Sequence, residues 1–294
     1  MIDIRYLGLT LIGVFLALAV GLMAGSALGS PDRRDAAYES IRAQFELLRG
    51  ENQRVRMDAE EVRRRLASRE DALRALLPTV VRGRLAGKPV AFILSGGIDE
   101  RPFWGELEAA LKLAGAELGP IIRLPRTLRT LSPERRLEYA RTLRIELSTR
   151  ADEGSSEVGW LVPALYRPSG LPVLESLARE LGCEVRLADM APVRHVVLLS
   201  GPHDGDDRPV TELLVPELLL SQQAQDRRMS LTAAEVEDAR PSLVDYLGRR
   251  GIPTIDNVDS VSGQLALVLS LAGAPGRYGS KPGSSRAVPE LSEP

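Results

Sequence analysis

From Tyr6 to Ser30 the chain has no polar face: "YLGLTLIGVFLALAVGLMAGSALGS" carries no charge between Arg5 and Asp32. A helix needs about 20 apolar residues to cross a bilayer, and this run supplies them. A cleaved signal peptide competes with that reading, but its apolar region is ordinarily shorter, roughly 7–15 residues, behind a more basic start. Residues 1–30 are therefore read as an uncleaved anchor. Gly13, Ala17, Gly21, Gly25 and Gly29 recur every fourth residue. That spacing puts small side chains on one helix face, where two backbones approach closely in lipid. Arg5 precedes the helix while Arg33 and Arg34 follow it, so local charge does not fix orientation.

Beyond Pro31 the apolar positions fall three and four residues apart. With Tyr38 at position a, the seam runs through Ile41, Phe45, Leu48, Asn52, Val55, Ala59, Val62, Leu66, Arg69, Leu73 and Leu76. A heptad sustained this long predicts a coiled coil, and at 1.5 Å per residue a stalk of roughly 60 Å. Pro78, lacking an N–H, is expected to end it. In a parallel dimer each g residue meets the partner's e residue five positions on. Glu51 would face Arg56, Asp58 would face Arg63, and Arg65 would face Glu70, all opposite in sign. Asn52 at an a position favours a defined register, whereas Arg69 at d loosens the seam. The alternative is a single surface helix packed on its own domain.

After residue 88 the pattern switches to short apolar runs alternating with helical stretches. "VAFIL" (Val90–Leu94), "PIIRL" (Pro120–Leu124), "RHVVLLSG" and "IPTID" read as strands, "CEVRLA" as an edge strand and Met229–Thr232 as a weak one. Helices are expected from Pro102, from Pro133 with Ser132 as N-cap, over Leu171–Leu181, Glu212–Gln225 and Ser242–Arg250, and in "SGQLALVLSLAG". Trp160–Tyr166 is ambiguous. Such alternation implies helices on both faces of a mostly parallel sheet. From Ala274 the chain is rich in Pro, Gly and Ser and is expected to lack stable structure of its own. The fold class is thus α/β: an N-terminal transmembrane helix (1–30), a parallel coiled-coil stalk (31–78), a linker (79–88), an α/β domain with a mostly parallel sheet (89–273) and a flexible tail (274–294).

Composition narrows the function. A net charge of −2 over 294 residues offers no basic footprint for nucleic acid. The single cysteine, Cys183, excludes an internal disulfide and any cysteine-cluster metal site. "LSGGID" follows a strand and precedes a helix, where glycines cradle phosphate. It lacks the dinucleotide and Walker fingerprints, so a tight turn is favoured. "SGPHDGDDRP" gathers His203, Asp204, Asp206 and Asp207, a candidate divalent-cation loop with one nitrogen donor, or simply a strand-end turn. His195, inside a strand, is read as structural. With two histidines and no G-x-S-x-G elbow, no nucleophile triad assembles, and an enzyme is disfavoured.

"TIDNVDS" (Thr254–Ser260) joins a strand to a helix. Asp259 or Ser260 suits the helix start, and Asp256 and Asn257 the turn. The alternative is a carboxylate site, with Asp256 and Asp259 at the edge where open α/β sheets bind ligands.

The order of "FLALAVGLMAGS", a coiled coil, "GIPTIDNVDSVSGQLALVLSLAG" and "GRYGSKP" resembles the bacterial copper transporter family typified by mycobacterial copper transport protein B (MctB-like). The most specific part is Gly251–Pro282. The resemblance implies a membrane-anchored, extracytoplasmic envelope protein in copper transport or homeostasis, with copper a possible ligand and no ligand motif carried over. Soft sulfur donors select Cu(I), and the five methionines form no Met-x-x-Met. The resulting expectation is a single-pass membrane protein and non-enzymatic parallel homodimer. Its interface would use Gly21, Gly25, Gly29, Ile41, Phe45, Leu48, Asn52, Val55, Val62 and Leu66. The alternative is a coiled-coil envelope scaffold or regulator that binds a division or cell-wall partner.

Overall fold

The structure is a computed structural model that describes residues 4–26, 31–145, 156–166, 170–186, 193, 195–203, 215–226 and 229–290. The chain forms two units, Met1–Ser68 and Arg69–Pro294. Gly29, Asp204, Asp206 and Asp207 lie outside the described residues, as does the Ile41 side chain.

Helix α1 spans Ile4–Ser26. Its described side chains, residues 11–23, are apolar or small and all exposed, Phe15 and Leu16 at 63% each. Among the described residues, no helix is long and apolar enough to cross a membrane. A Cβ added at Gly13 or Gly21 would meet nothing within 4 Å, so that part of the glycine stripe faces open space.

Helix α2 runs without a break from Pro31 to Val81, 51 residues or about 75 Å. Pro78 lies inside it, not at its end. The extra turn is held by burial: Val81 and Leu85 are fully covered, with Leu77 and Val80 packed beside them on the core. That contact outweighs the hydrogen bond the proline removes.

The second unit is built on a seven-stranded sheet in the order β3-β2-β1-β4-β5-β6-β7. The strands are β1 Pro89–Ser95, β2 Glu117–Arg123, β3 Glu184–Arg186, β4 His195–Ser200, β5 Ser230–Glu235, β6 Thr254–Ile255 and β7 Arg277–Tyr278. All neighbours pair in parallel except β2 with β3, which is antiparallel at one edge. The mostly parallel sheet read from the sequence is present, and "CEVRLA" supplies its edge. Met229–Thr232, expected as a weak strand, belongs to a central one. Its short side chains, Ala233 and Ala234, carry little apolar signal but are fully buried.

Alternation along each strand feeds two cores. Ala91, Ile93, Val196, Leu198 and Ala233 face one side, beneath α4 (Pro133–Leu143), α5 (Leu161–Tyr166), α6 (Gly170–Glu180), α7 (Val215–Asp226) and α8 (Leu243–Gly248). Val90, Phe92, Leu94, Val197 and Leu199 face the other, beneath α3 (Arg101–Leu113), α9 (Val261–Ala272) and the end of α2. Ser132 caps α4 by accepting from Arg135 N, as expected. Trp160–Tyr166 resolves into a 3₁₀ turn, Ser156–Trp160, running into α5. Beyond Ala274, where composition suggests no stable structure, the chain adds β7 and a bridge from Tyr278 to Arg286. This segment has no core of its own; buried carboxylates of the sheet hold it.

Candidate functional site

In a parallel sheet the loops leaving the carboxyl ends of the strands share one rim. In this topology the chain reverses direction across the sheet between β1 and β4, the point where open α/β folds accept ligands. Ser95 and Ser200 are register partners there, and Ser200 is in turn partnered by Glu235 of β5.

The crevice at this point is filled by the protein itself. Gly96 and Gly97 adopt φ of +66° and +65°, which side-chain-bearing residues rarely do. A Cβ on Gly96 would sit 2.7 Å from Gly201 O and His203 Nε2, and one on Gly201 would sit 2.5 Å from Ile98 Cα. The glycines of "SGGID" thus serve close contact between two loops, as the tight-turn reading expects.

Four carboxylates are buried, and three of them do the organising. Glu235, fully covered, accepts from Lys281 Nζ at 2.5 Å, Ser242 Oγ at 2.8 Å, and the N–H groups of Leu243 at 2.7 Å and Val244 at 3.2 Å. It therefore closes the first turn of α8. Burial raises its pKa, with Lys281 as the chief opposing influence. Asp256, also fully covered, accepts from Ser280 N at 2.8 Å, Lys281 N at 2.7 Å and Ser284 Oγ at 2.7 Å. Together they strap residues 280–284 over the ends of β5 and β6. Glu157 pairs with Arg136 Nε at 2.7 Å. Glu217, in the first turn of α7, is 1% exposed. Its Oε2 has no hydrogen-bond partner among the described residues, and burial pushes its carboxyl up to about 7, with the nearby Ser95 hydroxyl opposing.

"TIDNVDS" divides its labour accordingly. Ser260 is the N-cap of α9, accepting from Gly263 N at 3.1 Å. Asp259 turns the other way and accepts from Glu237 N at 3.0 Å. Asp256 holds the strap. The two aspartates are not brought together with His203, whose backbone N–H bonds Arg240 O. Among the described residues no group of three or more His, Cys, Asp or Glu side chains is placed to hold a metal ion. Cys183, the one thiol, is buried, and burial pushes its pKa up to about 12, so it is not poised as a thiolate ligand.

Glu157, Glu217 and Glu235 are absent from the sequence-based candidates. Glu235 had a signal: strand alternation from Leu231 through Ala233 places it inward. Lys281, one of three lysines in the chain, was in view only within "GRYGSKP".

The described residues thus form a long helix and a three-layer α/β domain in which the buried acids Glu157, Glu235 and Asp256 are engaged in ion pairs and clamps. The chain belongs to the family of the copper transport outer membrane protein MctB, whose model matches residues 1–289. No curated protein matches it.

Proposed function

We propose that the chain is a single-pass, membrane-tethered parallel coiled-coil homodimer that displays its α/β domains outside the cytoplasmic membrane. There it would serve copper transport as a non-enzymatic component, with copper as cargo. One observation carries the reading: the a and d side chains Phe45, Leu48, Val55, Val62 and Leu66 are 55–67% exposed on an uninterrupted helix. Each such side chain contributes about 1.5–3 kcal/mol when fully covered, so a row of them disfavours a solitary stalk. The charges flanking the seam fit the same arrangement. Arg65 pairs within its own helix with Glu61, but both are exposed, and such pairs contribute little and exchange readily. The apolar surface of α1 supports the tether, since lipid is the solvent in which such a surface is stable.

A Leu48→Cys chain treated with a short, membrane-impermeant thiol cross-linker on intact spheroplasts tests both halves of the reading. Position d of a parallel pair brings the two cysteines together, whereas Leu47→Cys, at position c, keeps them apart. Native Cys183 is buried and leaves the background low. A dimer at position 48 and none at 47 is expected. Equal yields at both positions, or none until the cells are lysed, would overturn the parallel stalk or the outward orientation respectively.

A further inference from the structure

Helix α2 changes its surroundings along its length. From Phe45 to Leu66 its a and d side chains are exposed, Leu66 still at 55%. At Val81 the exposure is zero. Between them Leu73, Leu77 and Val80 are half-buried, and Leu77 and Val80 pack on the core that holds Leu107 and Leu267. Arg74 comes within 3.6 Å of Glu106 on α3. Just past the helix, Leu85 is fully covered and donates its N–H to Ala114 O at 2.7 Å.

The covered stripe is not the heptad seam. With Tyr38 at a, Leu73 and Val80 are at a, Leu77 at e and Val81 at b. Each step of four residues advances about 40° around a helix of 3.6 residues per turn, so the line 73–77–81 leaves the a/d stripe. Leu76, at d, is left 57% exposed.

Two sequence features stop at the same turn. Arg69 at d would set two guanidinium groups against each other across a parallel pair, adding repulsion to the cost of burying charge. The opposite-sign g and e pairs end with Arg65 and Glu70. The next pair would be Ala72 with Leu77, and Leu77 is already packed on its own domain. The chain also divides into its two compact units at Ser68 and Arg69.

We propose that the paired stalk ends at Leu66 and that the two chains part at Arg69, each α2 passing from the second copy to its own domain over residues 69–81. The dimer seam then covers Tyr38–Leu66, about 44 Å of helix at 1.5 Å per residue, and excludes Leu73 and Leu76. This inference rests on the parallel dimer proposed above and fixes the extent of its interface.

Cross-linking of the full chain in mild detergent tests it, with single cysteines in place of Leu48, Leu66 and Leu76. All three side chains are exposed, so the substitutions remove no contact with the domain core, which a melting curve checks. Dimer is expected at 48 and 66, with a yield at 76 roughly fivefold lower and no greater than that of Leu47→Cys. Equal yields at 66 and 76, or a dimer at 48 without one at 66, would overturn the parting point and leave the dimer standing. No dimer at 48 or 66 would remove the dimer and this inference together. In a second arm, Leu77→Ala should lower the urea midpoint of the domain and leave the Leu48→Cys yield unchanged, while Leu66→Ala should do the reverse. A loss of cross-linking in Leu77→Ala with an unchanged urea midpoint would place Leu77 in the seam and refute the proposal.

Discussion

Replacing Glu217 by glutamine isolates the cost of one buried acid. In the folded chain its carboxyl is raised by burial to about 7, against an ordinary 4.5. The folded state thus holds a proton that the unfolded chain releases through this range, so stability falls as pH rises between those values. The contribution is complete below the unfolded value, is lost as pH passes the folded one, and is level above it. At about 1.4 kcal/mol per pH unit the difference amounts to about 3 kcal/mol by pH 8. Glutamine has nearly the same shape and does not titrate. The variant should match the parent within about 1 kcal/mol at pH 4.5 and exceed it by up to about 3 kcal/mol at pH 8. For a domain of this size that is about 6–12 °C in Tm.

Urea unfolding of the full chain in mild detergent, repeated from pH 4.5 to pH 8, measures the effect. Fluorescence of Trp160 is the natural probe, since it is buried in the same core as Leu220 of α7. Glu235 and Asp259 also have raised pKa values. Both persist in the variant, so the difference between the two pH profiles reports Glu217 alone. Parallel profiles would refute the reasoning, because they would mean that Glu217 is ionised and satisfied in the folded protein.

Two further substitutions probe the carboxyl rim. Lys281→Met leaves Glu235 buried without its cation and should cost about 3–5 kcal/mol in urea unfolding, while Lys281→Met/Glu235→Gln should recover a substantial part of that loss; additive losses would show the pair to be uncoupled. Gly263→Ala would place a methyl group 1.9 Å from Asn257 O and should destabilise the domain by at least about 1–3 kcal/mol, so a neutral result would mean that the Asp256–Ser260 loop is free to move.

What could be read from the sequence tracks how locally each feature is encoded. Helix α2, the Ser132 and Ser260 caps and the buried alternation of β1 and β4 each depend on neighbours within a few residues. Their patterns survive without a three-dimensional frame. The end of α2 was misplaced because a local rule about Pro78 met a distant contact: Val81 packs in a core with Leu107 and Leu267, out of sight of any window around the proline. The tail was misjudged for the same reason. Its Pro, Gly and Ser content describes the segment taken alone, without the sheet it pairs with. Asp256 and Glu235, 25 and 46 residues away from Lys281, supply the order it lacks.

The same separation explains why the candidate chemistry shifted. "SGPHDGDDRP" and "TIDNVDS" drew notice because their polar residues are close in sequence. The acids that hold the strap, Glu235 and Asp256, come from β5 and the end of β6 and become neighbours only once those strands pair. Sequence proximity identified the loops that form the rim. It did not identify which carboxylates the fold uses for itself, since Glu235 meets Lys281, and Asp256 meets residues 280–284, only across the rim.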